Sequence, residues 1–235
     1  MVNSVSVVIP VLGDAAELDT LLAQLEMQRP AEVIVVAGHA DRAVTAVCAR
    51  HACDLIQAPA NRGAQLNEGA RRATGAVLWF LHADAELPAD ALTLIVAAVR
   101  EGAESGCFRF AFQGPVTWYK RALSWFVALR IRCGGMVYGD QGIFARRNVY
   151  FDTGGFADWP LFEEVALVRR LRARGTFRVL PRPLGVATRR WERDGWLRRT
   201  LHNRWLALRF ALGSRPEVLA ARYRPRLLSK AEHEP

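Results

Sequence analysis

The sequence predicts an α/β fold in which a mostly parallel central sheet is flanked by helices, with amphipathic helices at the C-terminal end. Three observations carry this. Short apolar runs alternate with helix-length amphipathic segments through the first half of the chain, which implies a parallel sheet with right-handed crossovers. Runs such as Val5 to Pro10 and Ala76 to Leu81 are apolar throughout, as strands covered on both faces are. Apolar residues make up 51% of the 235 residues, enough for one substantial core.

The elements follow in order. Val5 to Pro10 reads as a strand, and Asp14 to Gln28 as a helix with Leu18, Leu21, Leu22 and Leu25 on one face. Glu32 to Ala37 is the second strand. Asp41 is placed to cap a helix reaching His51, because a short carboxylate accepts the orphan N–H groups of a first turn. Asp54 to Gln57 is a short strand, and Arg62 to Ala73 a helix broken by Gly75. Ala76 to Leu81 is the fourth strand, and Pro88 opens a further helix where its missing N–H costs least. The strand ends at Pro10, Ala37 and Leu81 then share one edge.

The second half is less regular. Gly106 to Gln113 and Asp140 to Ala145 read as strands, and Trp118 to Arg132 as an aromatic, arginine-rich helix. Glu163 to Arg174 is a helix ending at Gly175, and Phe177 to Leu180 and Leu184 to Thr188 are short strands. Trp196 to Leu212 is amphipathic, and Ser214 to Glu217 starts a last helical turn or two. The sequence is expected to form one domain over residues 1–226, a regular half 1–100 and a less regular half 101–226 with the C-terminal helices, and a disordered tail at 227–235.

Composition narrows the function. The net charge is +9 and the cations are mostly arginine, which suits nucleic acid, a membrane surface or an anionic small molecule. An aromatic–basic RNA motif and zinc-finger spacing are both missing, so nucleic acid is not expected as a partner. Cys48, Cys53, Cys107 and Cys133 form no C-x-x-C pair and are expected as free thiols. The start, Met1-Val2-Asn3-Ser4, leads directly into a strand without the apolar stretch of a secretory signal, and the chain is expected in the cytoplasm.

The chemistry concentrates at Leu78-Trp79-Phe80-Leu81-His82-Ala83-Asp84-Ala85-Glu86, where an apolar strand ends in a polar cluster. A strand of this kind delivers an acid to the carboxyl edge of a sheet, where open α/β folds bind ligands. Asp84 there could hold a divalent metal and, through it, a diphosphate. Otherwise it belongs to a polar turn.

Several ordered blocks, "SVVIPVLGDAAEL", "EVIVVAGHADRA", "NRGAQLNEGA", "LWFLHADAELP", "YGDQGIFARR", "GGFADWPLFEEVALVRRL" and "RRWERDG", resemble the family 2 glycosyltransferases. That family has the GT-A fold, a Rossmann-like domain. The nearest likeness is to the bacterial radical-SAM/selenodomain-associated transferases. The resemblance implies transfer of a sugar from a nucleotide-diphosphate donor, usually with inversion, aided by Mn²⁺ or Mg²⁺. A catalytic base takes the acceptor's proton.

On this resemblance Asp84 matches the second acid of the family's D-x-D and becomes the metal ligand. His82 stands where many members have the first Asp and is a metal ligand, a donor-side contact or a turn residue. Glu163 and Glu164 match the Glu-Asp pair that holds the base. Glu164 is the favoured base and Glu163 the alternate, and the helix N-terminus is expected to keep the carboxylate ionised. Pro10, Asp14 and Asp41 fall in donor-binding blocks. Arg62 and Asn67, with Gln65, match a segment that lines nucleotide and diphosphate, and a solvated helix face is the alternative. Asp140 and Gln141 match the acceptor-side block, where flanking glycines permit close approach. Arg190-Trp191 resembles an Arg facing diphosphate and a Trp facing acceptor sugar.

Two positions depart from the family. Ala37 replaces the acid that contacts the nucleotide base, and Gly13 replaces Asn. Either the donor is bound differently, or the chain is a non-catalytic scaffold that binds a nucleotide, lipid or protein partner. Trp118, Ala122, Trp125, Phe126 and Leu129 recur at helical spacing beside Lys120, Arg121, Arg130 and Arg132, and residues 196–212 repeat the theme. Such stripes either pack in a core or lie at the inner face of a membrane as a peripheral contact, in which case the acceptor is lipid-linked.

Overall fold

β-branched and aliphatic runs with no polar alternation can be satisfied only by a sheet covered twice, and the chain builds one. The computed structural model describes residues 4–223. The expected tail at 227–235 and the expected domain end at 226 lie outside the described residues. The first of two compact units comprises the chain up to Asp158 together with Glu163–Ala187, and the second comprises Trp159–Phe162 and the chain from Thr188 onward.

The first unit contains, in order, β1 (Val5–Val11), α1 (Ala15–Gln28), β2 (Glu32–Ala37), α2 (Arg42–Arg50), β3 (Asp54–Gln57), α3 (Arg62–Arg72), β4 (Val77–Phe80) and α4 (Ala91–Arg100). It continues with β5 (Ser105–Phe112), α5 (Trp118–Arg132), a 3-10 turn at Gly139–Gln141, β6 (Phe144–Arg146), α6 (Arg147–Asp152), α7 (Glu163–Arg174) and β7 (Phe177–Val186). The sheet order is β3-β2-β1-β4-β6-β5-β7. Every pairing is parallel except those of β6, which runs antiparallel to both β4 and β5.

Side-chain alternation along buried strands sends successive residues to opposite faces. Val5, Val7, Ile9 and Val11 of β1 pack with Leu18, Leu22 and Leu25 of α1 and Ile95 of α4. Val8 of the same strand faces the other way, onto Leu66 and Ala70 of α3 and Leu167 and Leu171 of α7. The four cysteines are free thiols.

Three sequence expectations are corrected. The segment Asp140–Ala145 is not one strand: the 3-10 turn occupies its start and only Phe144–Arg146 pairs. The two expected strands after Phe177 are one, β7, with a register jump opposite Phe108 and Arg109. Pro181 and Pro183, which lack N–H donors, lie at that jump. Pro88 begins a turn rather than the helix: its carbonyl accepts from Ala91, the first residue of α4. The six-residue helix α6, like α8 below, was not anticipated, being too short to show a helical period.

Gln65 ties β1 and β2 together. Its buried side-chain amide donates to the carbonyls of Val11 at 3.0 Å and Val36 at 2.8 Å, just where β1 and β2 end. Gln65 thus cross-links the ends of the two strands.

The second unit holds α8 (Arg189–Asp194), α9 (Trp196–Ala211) and α10 (Pro216–Tyr223). Within it Trp159 and Phe162 pack on Phe210, with ring centroids 5.8 and 4.8 Å apart. Among the described residues no helix is long and apolar enough to cross a membrane.

Replacing Gln65 with Leu should remove two hydrogen bonds from buried carbonyls and cost about 1–3 kcal/mol of stability. Urea denaturation of Gln65→Leu against the native chain measures it.

Candidate active site

Parallel strands β1, β2 and β4 all end at one edge, as expected from Pro10, Ala37 and Leu81. The reversed strand β6 adds something the sequence did not show. Because β6 is antiparallel to β4, with Trp79 opposite Phe144, its leading end lies at the carboxyl end of β4. The N–H of Phe80 donates to the carbonyl of Ile143 at 2.9 Å. The turn carrying Asp140 is thereby held against the loop carrying His82 and Asp84.

Gly139 makes this contact sterically feasible. A Cβ at that position would lie 2.9 Å from Nε2 of His82, closer than side chains tolerate. The close approach expected of the glycines in this block is thus realised by a side chain of the protein itself. From the other side, Gln113 follows β5 and donates its Nε2 hydrogen to the carbonyl of Asp84 at 2.7 Å.

Asp140 is half-buried as a residue, but its Oδ1 is shielded from solvent and has no hydrogen-bond partner. Burial pushes its carboxyl up to about 6, with the Arg130 guanidinium opposing and the charge of Asp84 adding to the rise. Arg130 also lies over the ring of Tyr138 at 4.6 Å. The sequence reading had grouped Arg130 with the cations flanking the apolar stripe. Its one-residue offset from Leu129 is about 100° of helix rotation, and that offset was the available signal that it faces elsewhere.

Glu163 and Glu164 open α7 and both are buried. Phe162 just before them takes φ +63°, a left-handed conformation rare for a bulky residue and typical of constrained sites. Oε1 of Glu163 accepts from Nη1 of Arg62 at 3.4 Å. Arg62 starts α3, where Asn61 accepts from the N–H of Ala64 and fixes the first turn. Glu164 differs from expectation. Burial first, and Glu163 second, push its carboxyl up to about 8, with Asp140 adding to the rise. The N-terminal position of the helix does not keep it ionised, because desolvation outweighs the half-charge of a helix end.

The remaining sequence candidates divide. Pro10 lies within β1 opposite Val36. Asp14 occupies the N-cap position of α1 with no side-chain cap bond, after Gly13 at φ +93°. That backbone conformation accounts for glycine where Asn was expected. Asp41 caps α2, accepting from Ala43 at 2.8 Å and Val44 at 3.2 Å. Asn67 is a buckle: it donates to the carbonyl of Phe156 and accepts from the hydroxyl of Tyr150 and the N–H of Phe156. Gln141 is another, donating to the carbonyl of Phe108 and accepting from the N–H of Tyr138. Both amides bond backbone groups of the chain. Arg190 and Trp191 belong to the second unit, where Arg190 bonds the Tyr223 hydroxyl and Trp191 lies 6.3 Å from Trp196.

Among the described residues no group of three or more His, Cys, Asp or Glu forms a metal cage. Asp84 with the unpartnered oxygen of Asp140 is a partial, all-oxygen donor set. It fits a hard divalent ion that takes its other ligands from phosphate oxygens and water.

A doubly covered, mainly parallel sheet with one reversed strand and an acid cluster at its carboxyl edge has the architecture of the GT-A glycosyltransferases. The chain belongs to glycosyl transferase family 2, whose model matches residues 6–157. No curated protein matches the chain.

Many solved structures share the fold. The mannosyltransferase PcManGT from Pyrobaculum calidifontis, in complex with GDP-Man and Mn²⁺, is 18% identical, with 95% of this chain and 70% of that chain covered at a TM-score of 0.64. S. aureus TarS, residues 1–349, is 14% identical, with 79% and 60% covered and the same TM-score of 0.64. The chain thus spans less than two thirds of that TarS chain. Mycobacterium tuberculosis glucosyl-3-phosphoglycerate synthase with Mn²⁺, UDP and glucosyl-3-phosphoglycerate is 17% identical, with 76% and 70% covered and a TM-score of 0.56.

Between the ordinary carboxyl value of 4.5 and about 8, the folded chain keeps a proton on Glu164 that the unfolded chain has released. Its contribution to stability therefore falls as pH rises through that window. Glu164→Gln, which stays neutral, should lose less stability than the native chain between pH 5 and 8.5. Urea titrations at the two pH values measure the difference.

Proposed function

We propose that the chain is a metal-dependent, inverting glycosyltransferase that moves a sugar from a nucleotide-diphosphate sugar to a hydroxyl acceptor. The observation that carries this reading is the position of Asp140, whose turn is held against the Asp84 loop and whose carboxyl feels the charge of Asp84 and raises that of Glu164, with Arg62 acting on both Asp140 and Glu164. Mn²⁺ with GDP-Man or UDP in structures of the same fold supports it.

Asp84 and Asp140 would hold the ion, which when bound neutralises the charge gathering on the leaving diphosphate. Arg62, fixed through Glu163, supplies a further cation on the donor side. His82 stands beside the metal-binding loop as a donor-side contact. Glu164 takes the acceptor hydroxyl's proton. A carboxyl whose proton affinity lies near neutrality is a stronger base than an exposed one, and a base works best when its proton affinity is close to the working pH. At the nucleotide end, β2 finishes with the buried methyl of Ala37. The base is therefore read without the acid found in other members. The same feature favours the second reading, a scaffold that binds a nucleotide without transfer.

Calorimetric titration with UDP-, GDP- and their sugar derivatives, with and without Mn²⁺, tests the binding. Release of nucleoside diphosphate to water tests the chemistry. Asp84→Asn should abolish the Mn²⁺-dependent part of donor binding. Glu164→Gln should leave donor binding in place and lower release by about 10²–10⁴-fold. Binding without release favours the scaffold, and no nucleotide binding at all overturns both readings.

A further inference from the structure

The stripe on α5 is not core. Trp118 is 81% exposed, Trp125 60%, Phe126 49% and Leu129 42%, and Val116 just before the helix is exposed as well. Between this helix and β5 runs a groove of about 490 Å³, whose apolar lining includes Phe110, Phe112, Ala122, Trp125 and Ala128. Its cations are Arg109, Lys120 and Arg121. Arg109 and Arg121 are exposed, while Lys120 is buried and donates to the carbonyl of Gln113 at 2.8 Å.

Singly exposed apolar residues are ordinary, but a contiguous aromatic face rimmed by cations is not. Two occupants are disfavoured by the chemistry. Single-stranded nucleic acid stacks on aromatic platforms, whereas this face mixes its rings with Val116, Leu129 and alanines around an apolar groove. Most protein partners would be met by a mixed-charge rim. Here the exposed charges on the face, Arg109, Arg121 and Arg132, are all positive. Rings and aliphatics that enter the headgroup boundary, under cations that meet phosphate, are the features of an interfacial helix on anionic lipid.

We propose that the α5–β5 face docks on a bilayer containing anionic phospholipid, with the groove receiving acyl chain and the arginines meeting lipid phosphate. The second unit shows the pattern independently: α9 exposes Leu197, Leu201 and Leu208, and Leu212 just after it, among Arg198, Arg204 and Arg209. The docking face is wired to the candidate active site by two hydrogen bonds, Lys120 to Gln113 and Gln113 to the carbonyl of Asp84. Resting on the transfer reading, this continuity makes a lipid-borne hydroxyl the acceptor class for Glu164.

Cosedimentation of the full chain with phosphatidylcholine vesicles, with and without about one third phosphatidylglycerol, tests the docking. The native chain should bind the anionic vesicles and leave the neutral ones. Trp125→Glu and Arg121→Glu should each weaken binding about tenfold or more. Arg72→Glu, the same charge change on exposed α3, should weaken it clearly less. Equal loss with Arg72→Glu means diffuse electrostatics and overturns the proposal. So do absence of vesicle binding, equal binding to single-stranded RNA that Trp125→Glu abolishes, and a stable dimer in light scattering that Trp125→Glu dissociates. Donor titration of the same variants keeps the readings apart: vesicle binding without nucleotide binding retains the docking and rejects the transferase, and the converse rejects only the docking.

Discussion

One reversed strand organises the acid cluster. In a sheet of parallel strands only the loops after each strand reach the carboxyl edge, so residues preceding a strand are carried to the far side. β6 breaks that rule by running antiparallel between β4 and β5. Its leading turn, with Asp140, therefore arrives at the edge where β4 delivers Asp84. β5, again parallel to β4, delivers Gln113 to the same place. Gly139 lets the turn approach this closely, since a side chain there would have to displace the His82 ring.

Gathering carboxylates in this way has an electrostatic cost that only part of the structure offsets. Arg62 pairs with Glu163, and Arg130 opposes the rise at Asp140. The balance still leaves Asp140 and Glu164 holding protons more tightly than exposed acids do. A folded chain gains nothing in stability from buried like charges. The proposed transfer reading gives these carboxyls a use, one group receiving a cation and the other a proton.

Several of the residues expected at the ligand also hold the frame. Asn67, Gln65 and Gln141 spend their amides on backbone groups, and Asp41 caps α2. An amide side chain offers donor and acceptor together, so it suits a nucleotide and a buried peptide group equally. Sequence pattern alone cannot separate these uses. At the edge, beside His82, lie the charged residues Arg62, Asp84, Asp140, Glu163 and Glu164.

The sequence by itself determined the alternation of strands and helices and the parallel edge at Pro10, Ala37 and Leu81. It also determined the cap at Asp41 and the helix that opens at Glu163. Each depends on local composition and on periods of two or 3.6 residues, which are readable one segment at a time. Tertiary structure alone decided the direction of β6, the placing of Arg130 near Asp140, and the neutral tendency of Glu164. It also decided that the aromatic stripe of α5 stays outside the core. Strand direction, burial and charge coupling arise between residues far apart in the chain. No local pattern carries them, because desolvation and Coulomb forces depend on what the fold brings near.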